Sequence, residues 1–144
     1  MRLEDVQTAW EEDSHIDRSE LGEESLKIPK LHSKYFRIFT GERLLFRKLD
    51  SEMKQLKLSK FEFYTMGPTE ETHLLGWKLP AQGKILKSEV NNYIEADKDI
   101  VALSLKIGVQ NEKIDLLESI IKSLVGRGFN IKSAIEWERF KTGG

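Results

Sequence analysis

The sequence predicts a mainly α-helical protein, with long helices joined by a short irregular or β-hairpin connection, that assembles with copies of itself through its C-terminal helices. Three observations carry this reading. Apolar side chains recur at helical spacing from about Lys30 to Thr65, a heptad seam runs from Val90 to Leu124, and only residues 66–89 break into short apolar pairs set among glycines and prolines. A chain of 144 residues fits a single domain, 1–144.

Residues 1–29 form an acidic N-terminal segment. Leu3, Val6 and Trp10 fall at helical spacing, and Glu4 and Asp5 suit the positive end of a helix dipole. Asp17 followed by Glu20 reads as a capping box for a second helix, which Gly22 and Ile28-Pro29 make short or broken.

Residues 30–65 form a basic amphipathic helix. On a helical wheel, Ile38, Leu45, Leu49, Leu56 and Phe63 gather opposite Lys54 as a buried stripe. Arg43, Arg47, Lys54 and Lys57 share the other sector, with Phe61 and Tyr64 inside or beside it. Phe39, Leu44, Phe46 and Leu58 also lie away from the buried pole, so the helix touches more than one neighbour. Residues 66–89 are a connection, with a loose hairpin from Leu74 to Leu86 turning at Pro80–Gly83.

Residues 90–125 form the oligomerisation helix. Val90, Tyr93, Asp97, Ile100, Leu103, Ile107, Gln110, Ile114, Leu117, Ile121 and Leu124 alternate steps of three and four, a heptad seam interrupted by Asp97 and Gln110. The apolar members from Ile100 to Leu124 are the expected interface between copies. Val101, Leu105, Val109, Leu116 and Ile120 form a flanking line, and a helix apolar on two faces has partners on both, which favours several chains over two. Gly126-Arg127-Gly128 reads as a C-cap, and Asn130 as the cap of a final helix over 130–141 carrying Ile131, Ala134, Ile135 and Trp137.

A net charge of −1 conceals an uneven distribution. Residues 1–25 hold nine acidic side chains against two basic ones, a net of −7, whereas residues 26–64 hold ten basic against four acidic, a net of +6. A basic arm behind an acidic one points to a polyanionic partner, or to attraction between the two segments. Without cysteine there are no disulfides and no thiol chemistry, and His15, His32 and His73 lack metal-ligand spacing. The N-terminus lacks the apolar core of a signal peptide and no run suits a membrane span, so a cytoplasmic protein without membrane contact is expected. "VGRGFNIK" lacks the lysine and Ser/Thr of a phosphate loop, and no carboxylate pair has a catalytic partner. Neither an enzyme, a metal nor a cofactor is expected.

Short matches in order along the chain carry a family resemblance. They are "MRLED" at the start, "ID" at 16–17, "SK" with an aromatic at 33–35, "LK…FEFY" at 56–64, "KSE" at 87–89, "ADKD" at 96–99 and "RGFNIK" at 127–132. In these the chain resembles the UvsY-type recombination mediators of T4-like phages over nearly its full length, the 66–86 connection apart. The resemblance implies a ring-shaped homo-oligomer, a heptamer, that binds single-stranded DNA in the host-cell cytoplasm. It also implies an activity, helping a RecA-like recombinase load onto DNA covered by a single-strand-binding protein. The family's motif before its paired aromatics reads basic, small, basic, apolar, acidic. Here the first basic position is Leu58, which leaves Lys60 as the direct carry-over beside Lys54 and Lys57 from the wheel. The wheel turns Lys60 toward the buried edge, and fraying near Gly67 would let it swing outward.

A basic stripe with neighbouring aromatics suits single-stranded DNA, because phosphates need cations and unstacked bases can lie on rings. Arg43, Arg47, Lys54, Lys57, Lys60, Phe61 and Tyr64 are the expected DNA-binding residues. The alternative is a helical oligomeric adaptor that binds protein partners alone.

Overall fold

The structure is a computed structural model that describes residues 1–143. In chain order the helices are α1 (Leu3–Asp13), a 3-10 turn (Arg18–Glu20), α2 (Leu21–Met66), α3 (Glu70–Leu74), α4 (Val90–Ala96) and α5 (Lys98–Lys141), with no strand among the described residues. The chain divides into two compact units: Met1–Leu44 with the chain from Val109 onward, and Leu45–Gly108.

In the first unit, Val6, Tyr35, Leu117, Ile120 and Leu124 form the core. Asp5 opens α1 by accepting the backbone N–H of Arg2 at 3.0 Å, which gives a carboxylate to the positive end of the helix. Asp17 caps the 3-10 turn through Ser19 rather than starting a broken helix. The long helix α2 then begins at Leu21 and runs straight through Pro29, against the expectation that Pro29 would break it. Pro29 and Ser25 are both exposed, which puts the lost hydrogen bond on the solvent side of the helix, where it costs least.

The expected break at Gly126-Arg127-Gly128 is likewise absent, since α5 is continuous to Lys141. Each glycine costs about 1 kcal/mol against alanine in a helix. Leu124, Arg127 and Ile131 are buried around them and hold the helix together. Arg127 donates through Nη2 to the carbonyls of Asp13 and Ser14, at 3.1 and 3.3 Å, where a cation complements the negative end of α1. Asp13 also accepts from Lys34 Nζ at 2.6 Å and Tyr35 Oη at 2.7 Å, one direct tie between the acidic and basic segments.

Gln110 interrupts the heptad seam for a physical reason. Its Nε2 donates to Glu42 Oε2 and to the Glu42 carbonyl, at 2.6 and 2.8 Å, while Lys113 Nζ lies 3.0 Å from Glu42 Oε2 and donates to the Met1 carbonyl at 2.8 Å. Burial pushes the Glu42 carboxyl up, but the hydrogen bonds from Gln110 and Lys113 outweigh it and hold the group below its ordinary value.

In the second unit, Met53, Phe63, Tyr64, Ile85, Val90, Ile94 and Ile100 form the core. Gly67, at φ +97°, ends α2 with its N–H on the Phe63 carbonyl at 2.9 Å. The connection that follows is irregular rather than a hairpin. Thr69 caps the short α3, and the Pro80–Gly83 turn forms where expected, closed by Gly83 N–H on the Pro80 carbonyl at 2.9 Å. Its flanks do not pair as strands, because Trp77, Leu79 and Ile85 each pack onto the core. The helix expected over 90–125 breaks at Asp97, whose backbone is extended at ψ 132°. Asp97 Oδ1 accepts the N–H groups of Asp99 and Ile100 at 2.9 and 3.2 Å and so starts α5.

Candidate nucleic-acid interface

The residues expected to bind DNA separate into two sets. Arg43, Arg47, Lys54 and Lys57 are exposed on α2. In the first unit Arg43 lies over the Phe39 ring at 5.3 Å; in the second, Lys54 is 3.4 Å from Asp50, a surface pair that leaves the lysine available to phosphate. Lys48, which sequence reasoning passed over, is exposed as well.

Lys60 and Tyr64 do not share that exposure. Lys60 is 2% exposed, its Nζ 2.8 Å from Asp99 Oδ2 and 3.1 Å from Asp97 Oδ2, so both its charge and its donors are engaged inside the protein. The expected fraying does not release it, because α2 continues to Met66. Tyr64 is 7% exposed and donates to Asp97 Oδ2 at 2.6 Å. Phe61 is half-buried against the core. The stretch singled out by the paired aromatics is therefore an internal scaffold at its C-terminal end.

Asp97 is the hub of that scaffold, serving α5 with one oxygen and Tyr64 and Lys60 with the other. Burial pushes its carboxyl up, yet the hydrogen bonds from Tyr64, Lys60 and the Ile100 amide win and hold it below the usual carboxylate range. Burial, followed by the Asp97 hydrogen bond, raises the Tyr64 phenol well above its ordinary value, so it stays a donor. The Lys60 ammonium sits 3.7 Å from the centroid of the Trp77 ring. Trp77 and Asp99 were missed in the sequence, where the signal was a heptad position occupied by Asp97 within "ADKD". Beside the cluster lies a cavity of about 850 Å³, lined by Tyr64, Trp77, Asn92 and Tyr93 among others.

The residues expected between copies differ in their exposure within one chain. Ile100, Leu117 and Leu124 are buried within the chain and serve its own cores, whereas Leu103, Ile107, Ile114 and Ile121 are half-buried and keep accessible surface. On the flanking line Ile120 is buried, whereas Val101, Leu105 and Val109 remain 41%, 68% and 54% exposed. No helix is long and apolar enough to cross a membrane, and no cluster of His, Asp and Glu among the described residues is placed to hold a metal.

This helical architecture is that of solved structures of the bacteriophage T4 recombination mediator protein UvsY. One crystal form matches with a TM-score of 0.80 at 23% identity, covering 99% of this chain and 98% of that one; another has a TM-score of 0.79 at 20% identity, covering 98% and 99%. The recombination protein uvsY of Enterobacteria phage T4 is 23% identical over 144 residues, 99% of each chain. Residues 9–144 match the family described as "Recombination, repair and ssDNA binding protein UvsY", and the chain belongs to that family.

Proposed function

We propose that this protein binds single-stranded DNA as a ring-shaped homo-oligomer, a heptamer, and helps load a RecA-like recombinase onto DNA covered by a single-strand-binding protein. Membership of the UvsY family over residues 9–144 is the observation that carries this reading. It acts by binding rather than by catalysis, in the cytoplasm of the infected cell.

The exposed cations of α2, Arg43, Arg47, Lys48, Lys54 and Lys57, support DNA contact. One chain offers a weak and salt-sensitive foothold, and repeating it on every protomer of a ring multiplies affinity through effective concentration. Exposed Val101 and Leu105 on α5 supply apolar surface that copies would bury against one another. A DNA path held in one shape by the ring favours whichever protein binds that shape better, here the recombinase over its competitor.

Analytical ultracentrifugation of the protein alone and with labelled oligothymidylate, at two ionic strengths, tests both parts. The expected result is a multimer that retains the oligonucleotide at low salt and releases it at high salt. A monomer that captures oligothymidylate tightly would refute the ring, and an oligomer that retains none would leave the protein-only adaptor.

A further inference from the structure

The cavity of the second unit lies outside the basic stripe and has a chemistry of its own. At about 850 Å³ it is within the range of small-ligand sites, and its aromatic walls are held in place before anything binds. Trp77 meets Phe63 edge-on at 5.5 Å and 76°, with the Lys60 ammonium 3.7 Å from its centroid. Tyr93 packs 6.1 Å from Tyr64 and accepts Gln82 Nε2 at its hydroxyl. Walls fixed in this way lose little rotamer freedom on binding.

The charges select the occupant. Lys60 is held by both Asp97 and Asp99 and balances only one of them, so the inner end carries a net charge of −1, offers no free cation and repels phosphate. A neutral, planar, polarisable group fits there without an unpaired charge being buried. At the rim, exposed Lys78 and Lys98 form no salt bridge among the described residues and outnumber Glu89, while the exposed amide of Asn92 offers both a donor and an acceptor. A neutral plane between two anionic links is what a nucleotide within a single strand presents.

We propose that this cavity takes one unstacked base of single-stranded DNA against Trp77 and Tyr93, with the flanking phosphates on Lys78 and Lys98. This rests on the single-stranded DNA reading above and adds a base contact to its phosphate contacts.

The test compares labelled oligothymidylate with an oligonucleotide of equal length whose bases are removed, binding to the full chain in its assembled form by fluorescence anisotropy. Wild type is expected to prefer the thymidine strand on the order of tenfold or more. Tyr93→Leu is expected to bring that ratio near one while leaving the base-free strand unaffected. Lys78→Ala with Lys98→Ala weakens both strands alike. A ratio unchanged by Tyr93→Leu, or an equal loss on both strands, overturns the base site while leaving the DNA-binding reading standing. Retention of neither strand by wild type overturns both.

A second measurement needs no variant. An iododeoxyuridine strand irradiated on the wild-type protein is expected to crosslink at Trp77 or Tyr93, and crosslinks confined to α2 residues before Lys60, outside the cavity, contradict the proposal.

Discussion

Each unit buries a lysine against carboxylates, and the two lysines have opposite surroundings. In the first unit Lys113 meets Glu42 beside Gln110 and the Met1 carbonyl, and the cluster joins α2 to α5 at a fixed register. In the second, Lys60 meets Asp97 and Asp99 at the wall of a cavity, with Trp77 over its ammonium. The same pairing pins two helices in one place and shapes a concave surface in the other. A buried cation therefore does not by itself mark a binding residue; what lies beside it decides.

The largest expected effect separates the two clusters. Asp97→Ala strips Lys60 and Tyr64 of a partner and removes the cap of α5, and should cost about 3–5 kcal/mol in urea denaturation, as breaking a buried pair does. Glu42→Ala should cost less, about 2–4 kcal/mol, because Lys113 keeps the Met1 carbonyl. The reverse order would break the comparison.

A double replacement sharpens it. Glu42→Met with Lys113→Met should return stability to within about 1 kcal/mol of wild type, since a register pin can be rebuilt from apolar contacts. Lys60→Met with Asp97→Met should stay well below, because no methionine restores the cap at Asp99 and Ile100.

Acid tests both clusters together. Asp97 and Glu42 are depressed in the folded state, so the stability they contribute is present above their unfolded values, about 4 for carboxylates. It is lost as pH falls through the lower folded values. Melting temperature should hold between about pH 5 and 7 and drop below about pH 4, and Glu42→Gln should flatten that limb while leaving the share of Asp97.

The smallest change in stability belongs to the exposed set. Lys54→Ala with Lys57→Ala should alter stability by less than about 0.5 kcal/mol. The slope of log affinity for oligothymidylate against log salt should nevertheless become shallower by about 1.4.

Much of this fold was legible in hydrophobic spacing. The long helix over 30–65 and the turn at Pro80–Gly83 occur where periodicity and turn chemistry placed them. The expected breaks at Gly126 and Gly128 do not occur because local breaker chemistry is outweighed by buried neighbours, Arg127 and Ile131, that hold the helix across them. Asp97 was weighed as a flaw in a seam when it is a helix start.

In the candidate interface, the wheel correctly turned Lys60 toward the buried edge, and the family motif drew it outward. Trp77, Asn92 and Tyr93 were out of reach because their meeting depends on how the irregular connection folds back, which no periodicity encodes.

The left-handed turn at Gly67 has one more consequence. A Cβ there would stand 3.0 Å from the Lys84 side chain, on a backbone that other residues rarely adopt. Any residue with a side chain would strain that turn and displace the flexible end of Lys84, on the connection whose Ile85 amide is tied back to the Tyr64 carbonyl at 2.8 Å. A single missing side chain at this turn thus sets where the connection leaves α2, beside Phe63 in the cavity wall.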